Sequence, residues 1–421
     1  MSPAAIPVTE IAITTRPTET PVWVDVSAYV EGFSIARGRQ SEDDAAQAGT
    51  YSCVLRNDDR RFDPSHAGGP YFGDLKRMRR LRQRATAGGV THDLYHGYIR
   101  SWTVYRERDG RQYVAVVADD GLRVLGLTDL NDSFPLERTD ERIAAILAAA
   151  NWQTGTPWLL GHATFGVLST TTVLAPFGDQ ALDIGLSQVQ AVTLEGTNAL
   201  DHAQDVERSE QGLLFVSRLG GMTFHNRHRR LLAGQQAPLC VLGDLGDGTE
   251  LPYVSVAIEY DDRLLYNDVR VTRTGGTEQT AADATSQDDH FVRTLRREIL
   301  VPTDGEAAIV ASYLLRLSKD PPPRIVSVGL DPHMEANPAG ELWTRFLSAE
   351  LGDVVTLRHR PWGGGNVLEQ KSLVEGITVE WDTEAGVWSG TWALSPADTT
   401  GYWVLGDGVY SVLGSTTGLG V

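Results

Sequence analysis

The chain is poor in cysteine, has no long apolar run and is short of positive charge. Its two cysteines among 421 residues, Cys53 and Cys240, lie far apart, each inside an apolar run. That placement reads as core packing rather than as a disulfide framework. Nowhere do about eighteen apolar residues run together, and the start Met1-Ser2-Pro3-Ala4-Ala5 lacks a basic region followed by an apolar stretch. Synthesis in the cytoplasm without stable membrane insertion is therefore expected. Lysine and arginine number 37 against 55 aspartates and glutamates, a formal charge of −18. Affinity for phosphate backbones rests on basic side chains, so this deficit argues against general nucleic-acid binding and favours solubility.

Chemical signatures are missing too. The chain has no phosphate-cradling loop ending in Lys and Ser or Thr, no dinucleotide fingerprint, no His-Glu-x-x-His, no Cys-x-x-Cys and no Gly-x-Ser-x-Gly elbow. No catalytic residue, cofactor or metal is expected, and the chain reads as a non-enzyme.

What is present leans towards β structure. Glycine, at 43 residues, is above usual abundance, and threonine, valine, tyrosine and tryptophan are frequent, a composition for short strands joined by turns. Length alone sets a prior of roughly three domains. The expected fold is mainly β with α+β insertions: two antiparallel β-barrel-like domains plus a mixed α+β domain.

Residues 1–20, with Pro3, Pro7 and Pro17, read as an N-terminal arm that pairs at Ile11 to Thr14 and docks on a neighbour. Residues 21–125 form the first β domain, in which Tyr51, Cys53 and Leu55 alternate with polar residues at period two. Residues 126–250 are mixed α+β. There Asp140 caps a helix with Ile143, Ile146, Leu147 and Ala150 on one face, ended by Trp152 and Gly155. Thr197 caps a second helix with Leu200, Ala203 and Val206 inward, and a hairpin joins Leu213–Ser217 to Met222–Asn226. Residues 251–395 form the second β domain. It carries an inserted helix capped by Thr303 with Glu306 and striped by Ala307, Val310, Ala311 and Leu314. It ends in a hairpin of Ile377–Trp381 with Trp388–Trp392. Residues 396–421 are a Gly/Thr-rich extension.

Four clusters invite a functional reading. His225 and His228 flank Asn226-Arg227, but positions three apart on a strand face opposite ways. Asp244 to Glu250 offers oxygen ligands without the spacing of a calcium loop, and Asp58 to Asp63 reads as a charged surface loop. The run Lys76, Arg77, Arg79, Arg80, Arg82 and Arg84 is the main charge feature. It is either a solvated or charged sheet edge, or a subunit interface in which arginines pair with carboxylates of a neighbour.

The order of several segments says more than any one of them. Thr50 to Pro64, then Pro70-Tyr71, then Tyr95 to Trp102, resembles the opening domain of phage minor tail proteins, and Asn267 to Arg273, Leu351 to Val355 and Val374 to Ile377 before the Trp hairpin are similar to that family as well. The resemblance implies a structural tail-tip (baseplate) hub of a long-tailed phage. Such a hub is a homotrimer in the virion that joins the tail tube to the tip and forms part of the channel for DNA and tape measure. Implied partners are a distal tail or tail tube protein, the tape measure protein, and other tail-tip and receptor-binding proteins, with DNA passing unbound. The resemblance carries over no enzymatic residue. It further implies that the two β-rich regions have related folds alternating around a ring. Alternatives are a distal tail adaptor of hexameric symmetry, and a glycan-binding or glycan-degrading tail-tip protein suggested by the ten tryptophans.

Overall fold

Where apolar residues alternate, the chain extends into strands. The computed structural model describes residues 5–150, 160–161, 163–164, 167–168, 180–334 and 340–397. The expected helix stop at Trp152 and Gly155, and the extension from 398 on, lie outside the described residues.

The first β-rich region contains β1 (Ile6–Ile11), β2 (Val30–Gly38), β3 (Gln47–Arg56), β4 (Arg80–Ala87), β5 (Val90–Arg106) and β6 (Gln112–Asp119). Then come α1 (Thr139–Ala149), α2 (Ala199–Glu210) and the hairpin β7 (Leu213–Val216) with β8 (Met222–His225). The second region holds β9 (Ser255–Glu259), β10 (Asp268–Arg273), β11 (Gln279–Ala282), β12 (Thr294–Ile299), α3 (Asp304–Ser318), β13 (Arg324–Leu330), α4 (Glu341–Ser348), β14 (Val354–His359), β15 (Leu368–Asp382) and β16 (Val387–Pro396).

Both β-rich regions have one strand order. In the first, the path β2-β3-β6-β5-β4 is antiparallel throughout; in the second, β9-β13-β16-β15-β14 is as well. Numbered by position in the chain, each path runs first, second, fifth, fourth, third. The fourth strand is the long one in both cases, and each breaks register with the fifth at one residue: Arg100 is skipped in β5 and Glu375 in β15. Such a bulge bends a strand and lets its two halves serve different neighbours.

That division joins the regions. The front half of β15 pairs with β14, while its back half pairs with β2, from Gly376↔Gly38 to Asp382↔Gly32. One sheet of fourteen strands results, and no closed barrel occurs among the described residues. The barrel-like expectation is corrected accordingly: the edge of β2 that closure would need is used by β15. In the N-terminal arm, Ile6–Ile11 pairs along β4 within the same chain.

The expected stripes face inward. Ile143, Ile146 and Leu147 of α1 pack with Ala203 and Val206 of α2 and with the β7–β8 hairpin in a core of their own. The cap of α2 is Asn198, one residue beyond the expected Thr197; its side chain accepts from the N–H groups of Leu200 and Asp201. Thr303 caps α3, whose Ala307, Val310, Ala311 and Leu314 cover β10 and β12 in a third core. The polar stretch at 275–289 contains β11 and a helix at Ala284–His290. The main core crosses the seam as a ladder of rings from Tyr95 through Tyr51 and Phe33 to Trp388 and Trp343, with neighbouring centroids 5.5–6.2 Å apart. Cys53 and Cys240 are both buried free thiols in this core, and burial pushes each up to about 12.

Candidate functional site

At the seam, the bulge of β15 turns a carboxylate into the protein. Gly38, at φ +88, and Gly376 bring two backbones together: a Cβ on Gly38 would lie 2.2 Å from the Glu375 carbonyl, and one on Gly376 2.5 Å from that of Arg39. The Arg39 N–H donates to the Glu375 carbonyl at 2.9 Å. The Glu375 side chain accepts from Arg39 Nε at 2.7 Å and from Arg230 Nη2 and Ser395 Oγ. Burial alone would raise this carboxyl; Arg230 and then Arg39 outweigh it and hold it at about 2. Glu42 lies between Arg230, at 3.7 Å, and Arg324, at 3.6 Å, and burial raises it.

This charge junction ties together the loop after β2, the short helix at Arg227–Leu231, β13, β15 and β16. It borders a cavity of about 680 Å³ whose other wall comes from α2, α3 and Pro321 to Pro323. The arrangement is a buried structural lock: both carboxylate oxygens of Glu375 are engaged by donors, Oε1 by Arg230 and Ser395 and Oε2 by Arg39.

Two further carboxyls are buried under neighbouring elements. Glu207 of α2 accepts from the Leu214 N–H at 3.0 Å, and burial, opposed by Arg39, pushes it up to about 7. Asp120 accepts from Gly49 N–H at 2.7 Å and Leu122 N–H at 2.9 Å; burial, opposed by those bonds, pushes it up to about 7. Ordinary values are about 4.3 and 3.9. Between those values and about 7 the unfolded chain has released protons that the folded chain keeps. Stability therefore falls as pH rises through this window and levels off above it. In Glu207→Gln that decline is expected to flatten, so the variant gains on the parent between pH 5 and pH 8. Urea midpoints at the two pH values check it; an equal difference at both would reject the assignment.

The four clusters singled out in the sequence are now located. Of the basic run, Arg79 donates to the Thr15 carbonyl, Arg80 donates to the Pro17 carbonyl at 2.8 Å, and Arg82 and Arg84 share Glu10 at 2.7 and 2.6 Å. The Arg82 guanidinium also lies 4.4 Å from the Trp23 ring centroid. Four of the six cations thus pin residues 10–23 onto β4, and Lys76 and Arg77 are exposed. His225 closes β8 while His228 lies on the next helix; His225 is packed edge-on to Phe215, and burial, then Arg229, pushes it down to about 4. Asp244 and Glu250 are both taken by Arg360, at 2.8 Å each. Asp63 accepts from Arg60, Arg106 and Ser65, which outweigh its burial and hold it below the usual carboxylate range. Among the described residues no group of three or more His, Cys, Asp or Glu side chains is arranged to hold a metal ion, and no helix is long and apolar enough to cross a membrane.

Sequence reading missed Glu375 as a site. A glutamate inside the apolar run Val374–Ile377, followed by glycine, is a bulge signal that marks it.

No protein-family model matches the chain, and no curated protein matches it. Solved structures do match. The tail protein from Neisseria meningitidis MC58 is similar at TM-score 0.57 and 9% identity, over 93% of this chain and 97% of that one. The tail protein of prophage MuSo2 from Shewanella oneidensis is similar at TM-score 0.55 and 13% identity, over 94% and 98%. A chain of the Francisella PdpA–VgrG complex follows at TM-score 0.50 and 9% identity, over 94% of this chain and 59% of that one. At these identities the likeness is one of fold.

Proposed function

We propose that this chain is a structural, non-enzymatic hub of a phage-type tail tip, joining the tail tube to the tip and lining part of the channel for DNA and tape measure. One observation carries the reading: the likeness in fold runs over nearly the whole length of both this chain and two tail proteins. The repeated strand order supports a homotrimer. A ring of three copies meeting a six-fold tube faces a mismatch, and two regions of one topology give it six similar elements. The net charge of −18 suits a wall past which DNA moves without binding. Lys76 and Arg77, the exposed members of the basic run, are the part of it left for an acidic neighbour such as a tube or distal tail subunit.

The glycan reading leaned on tryptophan, and Trp343, Trp388 and Trp392 are buried in the main core. Copy number in assembled tail tips, by native mass or cryo-EM, tests the proposal. Three copies around the tail axis are expected. Six would favour the distal adaptor, and a single copy off the axis would overturn both.

A further inference from the structure

The sequence uses one motif twice. Trp158-Leu159-Leu160-Gly161, Val167-Leu168, Thr171-Thr172 and Leu174 recur as Trp403-Val404-Leu405-Gly406, Val412-Leu413, Thr416-Thr417 and Leu419. Every pair is 245 positions apart, without a gap, and Val404 in place of Leu159 is the one change within these blocks. Self-similarity of this kind marks one structural unit used more than once. In the first copy Leu160–Gly161 pairs parallel with Gln180–Ala181, and Ala163–Thr164 pairs antiparallel with Val167–Leu168. The motif is therefore a β element that seats on its own chain.

The second copy begins six residues beyond Ala397. Ala397 is 4% exposed, and its N–H donates to the Lys371 carbonyl at 2.8 Å, so the point from which the segment departs is fixed. Pro396 and Ala397 are part of the wall of the cavity of about 680 Å³ beside the charge junction. Tyr266, Leu295, Tyr313 and Leu317 give the same cavity an apolar and aromatic face, and Pro322 and Pro323 at its rim are exposed. Its volume is in the range of pockets that take a drug-sized ligand. Between 402 and 421 the only charged side chain is Asp407, while Tyr402, Trp403, Val404 and Leu405 follow one another. Such a run gains by leaving water.

We propose that the C-terminal copy docks in this cavity of its own chain, with Tyr402 and Trp403 against Tyr266, Tyr313 and Leu317. Six residues span at most roughly 20 Å, enough to place Trp403 inside a cavity whose wall begins at Pro396. A tether this short gives a local concentration on the order of millimolar, against which a neighbour's segment has to compete. The docked segment covers the side of the junction on which Arg39, Glu42 and Arg230 face the cavity. The inference is independent of the tail-tip reading and stands or falls apart from it.

The test uses the full chain, whose native thiols are both buried. Leu317 lines the cavity and is 39% exposed, so Leu317→Cys places a thiol there at little cost to folding. Its reaction with N-ethylmaleimide is expected to speed up at least about ten-fold when Trp403→Ala is added, since protection follows the free energy of opening, with the melting temperature unchanged. Ile309→Cys, on the same helix but outside the cavity and 47% exposed, should react at one rate in both backgrounds. The protection of Leu317→Cys should also survive dilution. Protection that disappears on dilution means that a neighbour's segment fills the cavity, which overturns docking within the chain. Equal reaction of Leu317→Cys with and without Trp403 overturns docking altogether.

Discussion

Replacing Glu375 with alanine is expected to cost about 3–5 kcal/mol of unfolding free energy, the usual loss when one member of a buried ion pair is removed. The loss does not come from missing attraction alone. Arg39 and Arg230 have side chains only 6 and 18% exposed, and without Glu375 their charges stay in the protein facing one another, with Glu42 too far from Arg230 for a hydrogen bond. Glu375→Gln keeps the shape and an acceptor and should fall between parent and alanine. The acid limb gives an independent reading. Glu375 has a folded value near 2, below its unfolded value of about 4.3, so its contribution is complete above the latter and lost as pH falls towards 2. In Glu375→Gln this part of the acid decline should vanish. Denaturant midpoints at pH 7 and along the acid limb check both. A loss under about 1 kcal/mol would mean that the junction behaves like a solvated surface pair.

Trp388→Ala is expected to destabilise by a similar amount, about 3–5 kcal/mol, because a fully buried indole leaves a cavity its neighbours fill only in part. Trp388 is 0% exposed, packs on Phe33 across the seam and on Trp343 of α4, and donates from Nε1 to the Ala5 carbonyl at 3.1 Å. Its removal therefore strikes three places: the β2–β15 seam, the α4 cover and the start of β1. The expected signature is a lower midpoint together with early proteolysis near residue 5. Phenylalanine at 388 should recover most of the packing but not the bond to Ala5. Unchanged stability in the alanine variant would show that the ring ladder is not what fastens the two regions.

Periodicity and local chemistry were enough for much of what is decided within about twenty residues, but not for the helices at Arg227–Leu231, Ala284–His290 and Glu341–Ser348. The helix stripes at Ile143, Ile146, Leu147 and at Ala307, Val310, Ala311, Leu314 were readable because a helix buries one face at a fixed spacing. The register of Trp381 with Trp388 and of Ile377 with Trp392 was readable because a short turn joins alternating arms. The basic run was readable as charge but not as contact: what satisfies Arg79 and Arg80 is the carbonyls of Thr15 and Pro17, more than sixty residues away.

By itself, then, the sequence determined the β-rich class, the helices α1, α2 and α3, the β7–β8 and β15–β16 hairpins, and the segment order that resembles phage minor tail proteins. Tertiary structure alone decided that β2 joins β15, that Glu375 is turned in between Arg39 and Arg230, and that two regions without visible residue similarity share one strand order. The physical reason is that backbone hydrogen bonds are the same for every residue. Many sequences satisfy one topology if their faces alternate correctly, so pairing between strands more than three hundred residues apart leaves no mark on either strand until both are folded against the same core.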